Sequence, residues 1–297
     1  MRVFLAACLG LFLVQSALAQ EDMVPERRAI VSRDVDFYGG DLTNIFDTTY
    51  DACATACLAN PECRAFTFNA RSNACFPKKN LSDRQPYEGA ISAEIFETSP
   101  ATLALAQRRA PDLSFLSAQD WRESRTQGAA LGRIHAGGPW SLETLLETAA
   151  KRRADGDTLN AMRWTGAAVA QSDQSDQWLE YARLNRDVAP SQKDKSRYLR
   201  RALYASINAY LRAPADPARV SALMVMAEMF EATGKGRQSL HALRLAESIQ
   251  PREDVLSALD KAIAKYGFRI SEHSIESDLA EPRICAEFNE PLVKTGI

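Results

Sequence analysis

The chain has 297 residues, of which 46% are hydrophobic, and its formal net charge at pH 7 is −2. This length suggests about two domains, and the hydrophobic fraction is enough for each to have a core. The near-neutral charge excludes the basic footprint of a nucleic-acid-binding protein, because the basic residues are scattered and usually stand beside acidic ones.

Residues 1–19 have the pattern of a secretory signal peptide. Arg2 precedes an apolar run over residues 3–14, and Ala17-Leu18-Ala19 precedes a polar stretch. This pattern predicts cleavage after Ala19; the alternative is an uncleaved anchor. The run is too short for an ordinary membrane span of roughly 20 residues, and no later segment is apolar enough. We therefore expect a periplasmic or secreted protein without a membrane span, in an oxidising space where disulfides persist.

Four of the six cysteines lie between residues 53 and 75. Cys53 and Cys57 are four residues apart and would share one face of a helix, which Thr48 or Thr49 can cap and Asn60-Pro61 ends. Cys63 precedes the alternating sequence AFTFN, which predicts a strand, and Cys75 falls on the next predicted strand.

Such a cluster could bind zinc or form disulfides. The region has no histidine, and its spacings of three, five and eleven intervening residues do not form two zinc knuckles. Four cysteines allow three pairings. A Cys53–Cys57 bond would only tie one helical turn to itself, whereas nesting Cys57–Cys63 inside Cys53–Cys75 ties the helix to both strands. The nested pairing is therefore our prediction, and its outer loop would stabilise the fold by roughly 3 kcal/mol.

Residues 35–97 resemble a PAN/apple domain. The resemblance rests on the Gly-Gly-Asp-Leu sequence at residues 39–42, the Cys-x3-Cys helix, the Cys-x-x-Phe-Thr-Phe stretch, and the closing cysteine followed by Lys78. A predicted strand over residues 90–96 completes it. The resemblance implies a module that binds proteins or carbohydrates without catalytic residues. Phe66 and Phe68 are predicted to lie in its core.

The next part of the chain is predicted to be helical. After a short N-terminal segment at residues 20–34 and the PAN-like region, residues 98–140 are interpreted as a linker carrying some helix, with His135 in a loop. Residues 141–268 contain three helix pairs that can be aligned on a small residue of each second helix, namely Ala161, Ala202 and Ser239. This pattern resembles an array of tetratricopeptide repeats, closed by a capping helix.

The last segment, residues 269–297, has the alternation of a β-strand around Ile284, Ala286 and Phe288. A lone strand cannot bury its own face, so we interpret this segment as the start of a truncated β domain. Cys285 is expected to pair with a cysteine outside the chain. The predicted fold class is thus multidomain α+β: a disulfide-stapled PAN/apple module, an all-α TPR-like array and the start of a macroglobulin-like β domain.

Nothing in the sequence predicts an enzyme. The three histidines, His135, His241 and His273, lie in separate regions, and neither a nucleophile elbow nor a phosphate-binding glycine loop is present. We expect no catalytic residues, no cofactor and no metal.

The order of the parts resembles the N-terminal region of bacterial alpha-2-macroglobulin proteins, which are exported protease traps. The thioester motif Cys-x-Glu-Gln of that family is absent. The resemblance implies a non-catalytic recognition or spacer part of such a trap, with proteins (possibly proteases) or carbohydrate as partners. The alternative is a stand-alone periplasmic adaptor, whose PAN module binds protein or glycan while the helices dock a second partner.

Overall fold

The computed structural model describes residues 23–81, 83–277, 281 and 283–289, so the predicted signal peptide lies outside the described residues. Within the described part, no helix has the length and apolarity needed to cross a membrane. The strands and helices follow in chain order as β1 (Arg27–Phe37), α1 (Tyr50–Ala59), β2 (Ala65–Asn69), β3 (Ala74–Lys78), β4 (Arg84–Glu97), α2 (Pro100–Arg109), α3 (Ala118–Ile134), α4 (Leu142–Ala154), α5 (Thr158–Ser172), α6 (Ser175–Val188), α7 (Lys195–Leu211), α8 (Asp216–Ala232), α9 (Gly236–Ile249), α10 (Glu253–Tyr266), β5 (Ile270–Glu276) and β6 (Arg283–Phe288).

The first four strands and α1 form the N-terminal module, residues 27–97. Its antiparallel sheet has the order β1-β4-β2-β3. The alternating AFTFN sequence is β2, and Phe66 and Phe68 lie in the core as predicted. The module begins earlier than the sequence suggested, because β1 pairs with β4 from Arg27 opposite Glu97 to Phe37 opposite Arg84. Much of the predicted N-terminal segment at residues 20–34 is therefore a strand of this sheet.

Residues 141–268 form the helical array. Consecutive helices pack as the pairs α4–α5, α6–α7 and α8–α9, and α10 packs against α9 at the end. The three small residues used to align the repeats, Ala161, Ala202 and Ser239, are all buried on the second helix of their pair. Short side chains at these positions let the paired helices approach closely. The turn glycines Gly156 and Gly234 both have positive φ, which a residue with a side chain rarely adopts.

The predicted linker, residues 98–140, is instead a packed part of the structure. It forms α2, a 3₁₀ turn at Ala110–Leu113 and α3. Helix α3 packs against β1 on one side and against α5 and α7 on the other. Its buried residues are mostly small or polar, and so the helix has no apolar stripe that could be recognised in the sequence: Asp120, Ser124, Gln127, Gly128, Leu131 and Gly132.

Strand β1 belongs to two hydrophobic cores. Ala29 and Val31 pack with the buried cysteines of the N-terminal module. Ile30, on the opposite face, packs into the core of the helical array. Side chains alternate between the faces of a strand, so one strand can serve both cores. The N-terminal module is joined to the array through this strand and through α3.

At the C-terminal end, β5 and β6 form a two-stranded antiparallel sheet. Ile275 and Ile284 are opposite one another on it and are 66% and 79% exposed. Cys285 is an exposed free thiol. The strand prediction for this segment therefore holds for residues 283–288, and β5 is a partner strand that the sequence did not indicate. The truncated macroglobulin-like domain and a partner for Cys285 stay predictions.

Candidate functional site

The four clustered cysteines form the interior of the N-terminal module. Disulfides join Cys53 to Cys75 and Cys57 to Cys63, with Cα–Cα distances of 5.5 and 5.3 Å. All four side chains are fully buried. This nested arrangement fixes α1 to β3 and to the segment that leads into β2. Among the described residues, no group of three or more His, Cys, Asp or Glu side chains could hold a metal ion.

Helix α1 is also anchored at both ends. Thr49 accepts a hydrogen bond from the backbone N–H of Ala52, as a helix N-cap does. At the other end, the Arg27 guanidinium donates to the carbonyl oxygens of Cys57, Leu58 and Asn60 at 2.7–3.1 Å. The backbone N–H of Asn60 also bonds the Cys57 carbonyl, so Arg27 of β1 adds to the hydrogen bonds that end α1.

A pocket lies on the side of the sheet where the 39–41 loop meets β2, β3 and β4. We call it the tyrosine pocket; its volume is about 380 Å³. It is lined by Asp36, Tyr38, Gly39, Asp41, Thr67, Asn69, Phe76, Lys78, Tyr87 and Ala90.

Lys78 fixes the loop that forms one wall of the tyrosine pocket. Its side chain is buried, and its Nζ lies 2.6 Å from Asp41 Oδ1 and 3.2 Å from the carbonyl oxygen of Gly39. The loop can turn there because Gly39 and Gly40 both adopt positive φ. The backbone of Asp41 also bridges to Lys78. The lysine of the PAN-like pattern is therefore a structural anchor, because its ammonium group bonds two residues of the loop.

Two tyrosines present aromatic surface at the mouth of the tyrosine pocket. Tyr38 is 69% exposed and Tyr87 is 44% exposed. The amide of Asn69 holds the second ring, because its Nδ2 lies 3.5 Å from the hydroxyl oxygen of Tyr87, while its Oδ1 accepts from the backbone of Arg71 and Ser72.

Some polar groups that line the tyrosine pocket already form hydrogen bonds within the protein, and others do not. The hydroxyl of Thr67 is already bonded to Phe37 N and Ser92 Oγ. The Asp36 carboxylate forms no side-chain hydrogen bond or ion pair within the described part of the chain. The side chain of Asp41, which pairs with Lys78, is 39% exposed. The pocket thus offers hydrogen-bond acceptors beside aromatic surface.

Comparison with known families supports this description. Residues 35–79 match the PAN domain family. The match contains all four paired cysteines, the 39–41 loop and Lys78. No solved structure matches the chain. The N-terminal part is therefore a disulfide-stapled PAN module, a class that suggests binding of protein or carbohydrate, and it is followed by an array of helical repeats.

The sequence pointed to the cysteines and to Lys78 but not to the tyrosine pocket itself. Asp36 and Tyr38 flank Phe37 in the sequence DFYGG, where an aromatic and an acidic residue stand beside a glycine pair. Tyr87 lies 49 positions after Tyr38 in the chain, and only the pairing of β1 with β4 brings the two strands together. The acidic and aromatic residues beside Gly39 were the sequence signal that could have indicated the tyrosine pocket.

Proposed function

We propose that this chain is a non-catalytic recognition unit of an exported protein, and that its N-terminal module binds carbohydrate at the tyrosine pocket. The observation that carries the proposal is the juxtaposition of two exposed tyrosine rings with a carboxylate that has no partner in the module. A flat aromatic ring packs against the C–H face of a sugar, and carboxylate and amide oxygens accept hydrogen bonds from its hydroxyl groups. The two buried disulfides support an extracellular or periplasmic location.

The binding proposal can be tested with the full chain on a glycan array, followed by calorimetric titration of an oligosaccharide that the array retains. Tyr38→Ala removes one aromatic wall and Asp36→Asn removes the free carboxylate. Each should weaken binding by about tenfold, since a good hydrogen bond or stacking contact is worth on the order of 1 kcal/mol or more.

Phe46→Ala is the matched control. Phe46 is 64% exposed on the same module but does not line the tyrosine pocket. Its substitution should leave the affinity unchanged. The absence of any retained glycan, or equal losses in Tyr38→Ala and Phe46→Ala, would show that the tyrosine pocket is not a carbohydrate site and would favour a protein partner.

We further propose that this recognition unit belongs to an alpha-2-macroglobulin-like protease trap, in which it supplies recognition and spacing. The order of the parts supports this proposal: an exported PAN module, an array of helical repeats, and a β sheet whose apolar residues face outward. The chain carries no Cys-x-Glu-Gln thioester motif, so it would not by itself tether a protease. The alternative is a stand-alone periplasmic adaptor, in which the helices dock a second partner.

Two measurements separate these alternatives. Reading the gene beyond the codon for Ile297 should reveal further β domains if the chain is part of a trap, whereas a stop codon there favours the adaptor. Incubation of this chain with trypsin should leave the protease fully active, because no bait or thioester segment is present. Inhibition at a near-stoichiometric ratio would contradict the non-catalytic spacer role.

A further inference from the structure

The helical array contains a second, basic cavity that is separate from the tyrosine pocket. It has a volume of about 470 Å³ and lies between α5 and α7, beside the C-terminal end of α3. We call it the arginine pocket, after Arg163 of α5 and Arg197 and Arg201 of α7. Asn160, Tyr198 and His135 also line it, and none of its lining residues is acidic.

Neutral groups contact all three guanidinium groups, although the Arg163 and Arg197 side chains are exposed. Arg163 Nη1 donates to Asn160 Oδ1 at 3.2 Å. The guanidinium carbons of Arg197 and Arg201 lie 5.3 and 6.0 Å from the centre of the Tyr198 ring, which is buried. An aromatic ring within about 6 Å attracts a guanidinium group. These contacts partly restrict the side chains, so a ligand would lose somewhat less free energy in ordering them.

The positive charge of the arginine pocket is largely uncompensated. Arg197 has one acidic neighbour, Asp194, with Oδ2 3.6 Å from its Nε at the exposed surface. In the described ranges, no carboxylate oxygen lies within 4.0 Å of the Arg163 or Arg201 guanidinium. Asp157, which precedes α5, is hydrogen-bonded to Asn160, and the nearby charge of Arg163 helps to lower the pKa of its carboxyl, so Arg163 is compensated in part.

Other arginines of the array differ in this respect. Arg153, Arg186 and Arg219 form ion pairs with Glu180, Glu228 and Asp112. Like charges repel when they converge in one cavity, and a bound anion relieves that repulsion.

His135 forms a rigid, uncharged floor. The sequence placed it in a loop, but it is the C-cap residue of α3 and its side chain is buried. Its Nε2 lies 2.8 Å from the hydroxyl oxygen of Tyr181. Its ring also packs so closely on Gly166 of α5 that a Cβ there would lie 2.3 Å from His135 Cδ2. The charge of the arginine pocket therefore comes from guanidinium groups alone.

We propose that the arginine pocket binds an oxyanion, the phosphate or carboxylate group of a small acidic ligand. The planar fork of a guanidinium group donates two parallel hydrogen bonds to either group, and three such forks surround this cavity. Its volume is within the range of small-molecule sites. This site is independent of carbohydrate binding by the N-terminal module, since the two pockets share no residue.

The test is a titration of the full chain with two kinds of probe, monitored by NMR and by calorimetry. Inorganic phosphate and pyrophosphate represent the phosphate source, and glucuronate and citrate represent the carboxylate source. At least one probe should bind saturably and cause chemical-shift changes confined to α5, α7 and the end of α3. The kind of probe that binds identifies whether the ligand's acidic group is a phosphate or a carboxylate.

Arg201→Gln and Arg163→Gln should each weaken that binding by about tenfold or more, because each removes a charge-assisted hydrogen bond. Arg244→Gln is the matched control, since Arg244 is exposed on α9 and the substitution makes the same change in net charge. It should alter the affinity less than twofold. If Arg201→Gln does not fold, Arg163→Gln alone decides. Failure of all four probes to saturate, or an equal loss in Arg244→Gln, would overturn the proposal.

Discussion

Arg28 of β1 and Asp173 of the helical array form a buried ion pair, with 3.0 Å between Arg28 Nη1 and Asp173 Oδ2. Asp173 ends α5, and its Oδ1 accepts a hydrogen bond from the indole N–H of Trp178 at 2.9 Å. Arg212 Nε lies 2.7 Å from the same oxygen, a close ionic contact that lacks the angle of a hydrogen bond. One carboxylate thus pairs with two buried arginines, one from each part of the chain.

The Asp173→Asn variant should be strongly destabilised. It would leave Arg28 and Arg212 buried without a counter-charge, which typically costs about 3–5 kcal/mol in the free energy of unfolding. Asn tolerates the left-handed backbone that Asp173 adopts at φ 56°. The loss of stability would therefore come from the missing charge and not from a strained backbone. Urea-induced unfolding measures this change in the free energy of unfolding.

Glu180→Gln is the control for the Asp173 prediction. It breaks the pair between Arg153 and Glu180, whose arginine is 58% exposed, and should cost less than about 1 kcal/mol. Equal costs in the two variants would show that the buried pair does not fasten the N-terminal module to the array.

The Gly132→Ala variant should also lose stability, although alanine is the better helix former by about 1 kcal/mol. A Cβ at residue 132 would lie 2.4 Å from the carbonyl oxygen of Ala29 and 3.0 Å from the Cα of Ile30. Both atoms belong to the backbone of β1, which cannot move aside without disturbing the sheet. We expect a net loss of about 1–3 kcal/mol, measured by denaturant unfolding.

Gly128→Ala is the graded comparison on the same helix. Its added Cβ would meet Pro25 Cδ at 3.2 Å and Asn208 Oδ1 at 3.4 Å, both longer than the contacts at residue 132. Its cost should be smaller than that of Gly132→Ala. A stabilised Gly132→Ala variant would contradict the close packing of α3 on β1.

His135 should make the folded state sensitive to acid. Burial, followed by the charges of Arg201 and Arg163, lowers the pKa of His135 to about 3 from its ordinary value of 6.5. Between these values the unfolded chain binds a proton that the folded chain does not, so stability falls as the pH drops below about 6.5. At pH 5 the loss is on the order of 2 kcal/mol relative to pH 7.

Unfolding by urea at pH 7 and pH 5 measures this loss, and NMR should show that the His135 ring does not titrate over that interval. His135→Gln can retain a hydrogen bond to Tyr181 but does not titrate. The variant should therefore lose less stability between the two pH values than the parent chain. A titration midpoint of His135 near 6.5 in the folded protein would contradict the prediction.

The two disulfides should contribute unequally. The Cys53–Cys75 bond closes a separation of 22 residues and the Cys57–Cys63 bond a separation of 6. On the chain-entropy argument, removing the outer bond with paired Cys→Ser changes should cost about 3 kcal/mol, and removing the inner bond about 2 kcal/mol.

Intact mass after alkylation should show these four residues oxidised in protein recovered from the cell envelope, with Cys285 modified. A free thiol or bound zinc at Cys53, Cys57, Cys63 or Cys75 would contradict the disulfide assignment.

The sequence predicted those features that depend on local patterns. Cysteine spacing, the cap at Thr49 and the alternation of β2 indicated a small stapled module, and the small residues Ala161, Ala202 and Ser239 indicated paired helices. Each of these signals lies within one or two neighbouring elements, where period and spacing determine which side chains meet.

The sequence did not predict features that depend on distant contacts. Some helix was expected in residues 98–140, but the packing of α3 was not, because its buried face is mostly small or polar and gives no hydrophobic period. The tyrosine pocket and the arginine pocket each assemble residues from separate elements, and Tyr87 and Arg201 have no neighbour in sequence that marks them. His135 was placed in a loop because the glycines after it resemble a turn, whereas Tyr181 and Gly166 enclose it.

The shared use of β1 has a practical consequence for protein engineering. The boundary between the two parts of the chain runs lengthwise along a strand, with Ala29 and Val31 on one side and Arg28 and Ile30 on the other. A fragment trimmed to residues 35–79 would leave out most of this strand and all of β4. Transplanting the N-terminal module to a new host would therefore require residues 23–134 as one block, with polar substitutions at the positions of α3 that contact the helices.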